Sequence, residues 1–338
     1  MNDQVRAKTR YTKLSKKQIA QLCGISRISL DRVLKGEPGV SESKRLEVLR
    51  YLDENGYREN KLAQSLKRGR SKSLGIIVFD LENSFYAQLV NAFARTAQAA
   101  QYETYIMLSD KDQHQERRLV EALLARQVDG IVINSAVKDS HYGAYLAQQP
   151  CPVLAIMNHI DETIPFIGFD DYAAMRELTQ HALRKGYRHF YYVCPPLVRA
   201  CSSNMDSLLR RRQGFEDEVS HQAGLQIEML TDDSYIDQLM QIDQGGNKAC
   251  ILCTSDIYAL EIQAALRRKG LRAPADYGIA GFDNIPILGN LEPRLTTVSL
   301  QIELLGHTAA KLLIEAACGT DLPPYTHLSH KLLSHDSL

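Results

Sequence analysis

Up to residue 68 the apolar positions return at helical spacing: Leu14, Ile19, Leu22 and Cys23, then Ile25, Leu30, Val33 and Leu34, then Val40, Leu46, Leu49 and Leu52. The pattern predicts three short helices. Ser15 with Gln18 fits a capping box opening the first, Ser26 can cap the second, and Ser41 can cap a third that ends at Gly56. After "KRGRSKS" the period changes to short apolar runs separated by amphipathic stretches: "LGIIVFD", "ETYIML", "DGIVI", "PVLAI", "PFIGF", "HFYYVC", "ACILCT" and "YGIAGF". Continuously apolar strands alternating with helices predict parallel sheets covered on both faces. About nine or ten such strands favour two doubly wound lobes over a single sheet.

Charge divides the chain at the same place. The 338 residues carry 40 Lys+Arg and 40 Asp+Glu, yet residues 1–72 hold 18 of the former against 8 of the latter, leaving 22 against 32 for the rest. A basic helical head on an acidic α/β body points to a polyanion-binding module fused to something else. No apolar run approaches the roughly 20 residues of a membrane span, and the start "MNDQVRAKTRYTK" is polar, so a cytoplasmic protein with no membrane partner is expected. The seven cysteines are scattered and odd in number, which favours reduced thiols. Cys250 and Cys253 lie on one predicted strand, where positions three apart face opposite sides, so that pair is not read as a metal or redox site.

The stretch "IAQLCGISRISLDRVLKG", residues 19–36, packs a helix, a tight turn at Cys23 to Ile25 and a second helix into eighteen residues. This is the pattern of a helix-turn-helix, whose second helix enters the DNA major groove. Ile19, Ala20, Leu30 and Val33 can pack together, which leaves Arg27, Ile28 and Arg32 facing outward. Double-stranded DNA is the expected partner of this head, with Ser26 and Ser29 beside the reading residues.

At this point the sequence resembles the LacI/GalR family of bacterial transcriptional regulators, over nearly the whole chain. Ala20, Gly24, Ser26, Arg32, Val33 and Leu34 match the family's helix-turn-helix signature. "NKLAQSLKRGRSKSLGIIVFDLENSFYAQLV" resembles its hinge and first strand, "GFDDYAAM" a crossover between lobes, and "GIAGFDNIPILGNLEPRLTTVSL" the return segment. Asp31, Ser29, Glu59, Met175 and Glu261 depart from the customary residues, and Asp31 is positioned to repel DNA phosphate.

The resemblance implies a helix-turn-helix head over residues 1–59, a hinge helix and linker over 60–72, and a periplasmic-binding-protein-like effector and dimerisation domain over 73–338. Lobe one would take about 73–171 plus 300–331, and lobe two about 172–299. In the hinge, Asn60, Ala63, Leu66 and Lys67 would meet DNA, with Leu66 as a wedge in the minor groove. Asn83, Phe85, Tyr86, Arg211, Asp256 and Asp283 would bind the effector. Of these, Arg211 would grip the ligand with Asp256 as its carboxylate partner, Asp283 would lie near the opposite rim, and truncating Arg211 would spare folding. Taken without the resemblance, Phe85 and Tyr86 read equally as core residues and Asp256 as a helix N-cap. The implied function is a ligand-responsive repressor acting as a homodimer, or a higher assembly, on a palindromic operator. A sugar or sugar derivative is the favoured effector and a nucleobase or nucleoside the alternative.

An enzyme on the same body would need chemistry that is not apparent. The chain has no G-x-S-x-G, G-x-x-x-x-G-K-[ST], G-x-G-x-x-G or H-E-x-x-H, and His327, His330 and His335 are poorly spaced for a metal. Neither catalysis nor a cofactor is expected. A sugar-binding transport protein would share the body but not the basic head.

Overall fold

The first two short helices of the first segment are each opened by a side-chain cap. The computed structural model describes residues 15–55, 57, 69–195, 204–242 and 248–338, and the chain divides into two units, residues 1–69 and 70–338. In the first unit α1 runs Lys16–Leu22, α2 Arg27–Lys35 and α3 Glu42–Glu54. Ser15 and Gln18 form the expected capping box, and the Ser26 hydroxyl accepts the Ser29 amide at 3.0 Å. Ser41 occupies the N-cap of α3 but its hydroxyl accepts no backbone amide, and the helix ends at Glu54 rather than at Gly56, which lies outside the described residues. Gly24 turns the chain between α1 and α2 with φ of +61°, a conformation costly for a residue with a Cβ. Ile19, Ala20, Cys23, Leu30, Val33, Val48 and Leu52 bury together as the small core of this unit.

The second unit holds two six-stranded sheets. The first contains β1 (Ser73–Val78), β2 (Glu103–Leu108), β3 (Ile131–Ile133), β4 (Val153–Ile156), β5 (Phe166–Phe169) and β11 (Tyr325–Leu328), in the order β11-β5-β4-β3-β1-β2. All its pairings are parallel. The second contains β6 (His189–Val193), β7 (Gln226–Leu230), β8 (Ala249–Cys253), β9 (Gly278–Asp283), β10 (Thr296–Ser299) and β12 (Lys331–Leu333), in the order β12-β10-β9-β8-β6-β7. Only β12 is antiparallel to its neighbour.

The chain passes between the sheets three times: after β5, after β10 and between β11 and β12. Alternation along the strands feeds separate cores. Leu74, Ile76 and Val78 of β1 join a cluster that also takes Phe190, Tyr192 and Phe282 from the second sheet, while Ile77 points into a second cluster on the other face. Cys250 and Cys253 likewise enter different clusters, as their spacing on a strand requires.

The strands absent from the sequence reading are β7, β10, β11 and β12. Three of these are sheet edges, where one side is open to water and the sequence need not be apolar: β7 carries Gln226 and Glu228, and β11 and β12 are half exposed.

Candidate functional site

In the first unit the second helix presents the residues singled out from the sequence. Arg27, Ile28 and Arg32 are exposed, Ile28 to 68%, whereas Leu30 and Val33 on the opposite face are buried. Ser26 and Ser29 are engaged with each other, their hydroxyls 2.9 Å apart at the helix start. Asp31, positioned to repel phosphate, instead pairs with Lys16 of α1 at 2.7 Å, so its charge is neutralised within the unit and the two helices are tied together. Asn60, Ala63, Leu66 and Lys67 lie outside the described residues.

In the second unit a cavity of about 180 Å³ opens where the carboxyl ends of both sheets converge. Open parallel sheets place ligands there because the loops leaving the strands diverge and expose backbone donors and helix starts. Phe79 and Asp80 follow β1. Asn83, Phe85 and Tyr86 begin α4 (Ser84–Ala99), and Met157 and Asn158 follow β4. Ser207, Leu208 and Arg211 come from α8 (Asp206–Ser220), and Thr254, Ser255, Ile257 and Tyr258 follow β8, with Asp283 closing β9. Lys111, Met157 and Asp283 hold φ of 60°, 64° and 114°, so three lining residues sit in a strained backbone region, as binding sites often do.

The first sheet supplies an aromatic and amide wall. The Tyr86 ring meets Phe79 and Phe85 edge-on at 5.8 and 5.2 Å. Both sequence readings of this pair hold for Phe85, which is buried in the core and also lines the cavity. Asn83 caps α4, its side chain accepting the Phe85 amide at 3.0 Å. Asn134 donates to the Tyr86 hydroxyl at 3.2 Å and accepts from Asn158 at 3.1 Å, while Ser207 of α8 donates to Asn158 at 3.2 Å. Asn204 adds backbone contacts across the cleft, to Ala136 O at 2.8 Å and His159 O at 2.9 Å.

The second sheet supplies a buried charge network. Arg211 is 4% exposed; its Nε donates to Asp171 Oδ1 at 2.7 Å, its Nη1 donates to Thr254 O at 2.7 Å, and its guanidinium lies 3.8 Å from the Phe282 ring centroid. Asp283 Oδ1 stands 3.7 Å from Nη1, and its other oxygen accepts the Ser255 hydroxyl at 3.0 Å.

Three expectations are corrected here. Asp256 is not the partner of Arg211 and does not line the cavity: fully buried behind it, the carboxylate accepts Thr297 Oγ1 at 2.6 Å and the Ile285 amide at 2.9 Å. Gly281 makes room for it, since a Cβ there would stand 2.1 Å from Asp256 Oδ1. The cap of α10 (Asp256–Arg268) is Ser255 rather than Asp256. Asp283 lies beside Arg211, not across from it. Beyond these three, Arg211 is buried in an ion pair with Asp171, and truncating it would leave Asp171 without a counter-charge, which argues against the expected sparing of folding.

Burial raises Asp283 to about 7 and Asp256 to about 8, the latter also pushed up by the neighbouring Asp283 charge. Asp171, though it stands in "GFDDYAAM", and Ser255, the neighbour of Asp256, carry no role in the sequence reading, and no sequence signal marks Asn204 or Ser207. Among the described residues no group of His, Cys, Asp and Glu is placed to hold a metal, and no helix is long and apolar enough to cross a membrane.

Residues 71–335 match the sequence profile described as periplasmic binding proteins and sugar binding domain of LacI family. The chain belongs to the LacI family of transcriptional regulators. It is 27% identical over 304 residues to the ribose operon repressor of Halalkalibacterium halodurans, covering 88% of this chain and 89% of that one. It is 27% identical over 310 residues to catabolite control protein A of Priestia megaterium, covering 87% and 90%. The lac repressor dimer bound to operator and an anti-inducer superposes with a TM-score of 0.81 at 22% identity, covering 96% of this chain and 99% of the repressor chain, which supports the fold. A regulator from Alkaliphilus metalliredigens complexed with D-xylulofuranose matches at TM-score 0.65 and 26% identity over 79% of this chain and 98% of its own. The LacI-family body therefore carries its cavity where that fold places one, and the relatives are regulators rather than enzymes.

Proposed function

We propose that this LacI-family protein is a repressor that binds a palindromic operator as a homodimer and changes its affinity when a sugar or sugar derivative occupies the cavity. The observation that carries this reading is the pairing, on one chain, of a helix presenting Arg27, Ile28 and Arg32 with a body whose cavity is walled by aromatic rings on one side and a buried arginine on the other. Arg27 can fork to guanine and Ile28 can touch a thymine methyl, both from the first turn of the reading helix. A single such helix offers too few base contacts to select a site, which is why a two-fold dimer is part of the proposal. A relative whose solved complex contains D-xylulofuranose supports the sugar class. Ligand binding to one arrangement of the lobes would shift the dimer between states of different DNA affinity.

The test is selection of a binding site from random duplex DNA with the full chain, followed by a screen for small molecules that shift affinity for the selected site. A palindrome should emerge, and Arg27→Ala should cost about 1 to 3 kcal/mol on it and much less on random DNA. Equal losses on both sequences would reduce Arg27 to a phosphate contact, and failure to recover any preferred sequence would sink the reading.

A further inference from the structure

A second cavity, of about 350 Å³, lies at the other end of the second sheet. Gln263 and Arg267 reach it from the last two turns of α10, Leu271, Arg272 and Ala273 from the segment after that helix, and Tyr277 from just before β9. Glu292 and Pro293 join them from the turn that leads into β10. These are the amino ends of the strands, whereas the cavity between the sheets sits at their carboxyl ends. The volume suits a small metabolite.

The cations of this cavity are uncommitted. Arg267 and Arg272 are exposed, and among the described residues neither guanidinium makes a hydrogen bond or an ion pair, with Glu292 of the same lining or with any other group. Arg211, by contrast, is held by Asp171. An arginine in the last turn of a helix often answers the negative end of the helix dipole. Here that end is already closed by backbone: the amides of Lys269, Gly270 and Leu271 donate to the carbonyls of Leu266, Arg267 and Leu266, each at 3.0 Å, with Gly270 at φ of +87°. The side chain of Arg267 is left to the cavity.

Tyr277 adds a second, independent observation. It is 2% exposed, yet its hydroxyl makes no hydrogen bond among the described residues. The hydroxyls of Tyr102 and Tyr192 are also unpaired but sealed from solvent, whereas Tyr277 lines a cavity. Burial raises it to about 12, against the pull of the Arg267 charge, so near neutrality it remains a donor in need of an acceptor. Two guanidiniums, this phenol and the Gln263 amide offer more donors than one carboxylate takes up, and they match the terminal oxygens of a phosphate. Leu271, Ala273 and Pro293 supply an apolar floor, and Glu292 is an acceptor for a hydroxyl.

We infer that this cavity is a second ligand site, separate from the one between the sheets, and that it takes a small phosphomonoester whose phosphate binds Arg267, Arg272 and Tyr277 while a hydroxyl of its polyol meets Glu292.

The experiment is calorimetric titration of the full chain in phosphate-free buffer with glycerol 3-phosphate, D-ribose 5-phosphate and D-glucose 6-phosphate. Their unphosphorylated parents, inorganic phosphate and sulfate are titrated alongside. At least one ester should bind, with its parent weaker by about tenfold or more. Arg267→Ala and Arg272→Ala should each weaken that ester by about tenfold, and the double variant should abolish its binding. Both side chains are exposed and unpaired, so thermal melts without ligand should match the parent protein. Tyr277→Phe should weaken the ester as well; should that variant unfold, the two arginine variants carry the test. Ester binding that survives the double arginine variant would place the phosphate elsewhere on the chain and overturn the inference. Inorganic phosphate or sulfate binding as tightly as every ester would mark an adventitious ion only, and no binding by any ester would likewise overturn it.

Discussion

The two walls of the cavity are built on different principles. The first sheet offers Phe79, Phe85, Tyr86 and Asn158, groups that are neutral and hold one another through ring contacts and amide hydrogen bonds. The second offers Arg211 and Asp171, opposite charges that could not be buried singly and are stable only as a pair, with the Asp283 carboxyl beside them. Removing a residue from the first wall costs a contact, whereas removing one from the second strands a charge.

The comparison can be broken most sharply at Arg211. Arg211→Ala should destabilise the body by about 3 to 5 kcal/mol, read as a lowered urea midpoint, because Asp171 loses its partner in a dry site. A loss below about 1 kcal/mol would place the arginine with the first wall.

Next in size is the response to pH. Asp283 and Asp256 hold protons in the folded state that they have lost in the unfolded chain, where carboxylates titrate near 4. In the window between about 4 and about 8 the native state binds more protons, so unfolding free energy falls as pH rises. From pH 5 to pH 8 stability should fall steadily, measured by denaturant titration at several pH values. Asp256→Asn should flatten this dependence, since an amide can still accept the Ile285 amide and donate to Thr297 while carrying no charge. Stability that rises over this range would contradict a protonated pair.

Smaller effects are expected on the first wall. Asn83→Ala should cost about 1 kcal/mol as a lost helix cap, and Asn83→Asp should restore it. Tyr86→Phe removes the hydroxyl that Asn134 donates to, and should cost about 1 kcal/mol in stability with no change in the slope of stability against pH. A changed slope would join Tyr86 to the charge network across the cavity.

The order of elements was legible because burial on both faces writes itself into a strand. "LGIIVFD" and "ACILCT" are apolar throughout since alternate residues enter different cores. Edge strands such as β7 carry no such mark, having one side in water. In the head, local rules sufficed: Ser15 and Ser26 cap as their spacing predicts, while Ser41 has the right residue type and position without the hydrogen bond.

At the site, the family resemblance carried by the sequence pointed to Asn83, Phe85, Tyr86, Arg211 and Asp283, and all five line the cavity. The tertiary structure decided which of them meet. Asp256 and Asp283 are 27 positions apart, and Arg211 lies 40 residues from Asp171; nothing in the spacing says that Arg211 takes Asp171 and leaves Asp256 to Thr297. Partner choice among buried charges depends on distance and shared desolvation across separate elements, and those are fixed only when the second sheet has assembled.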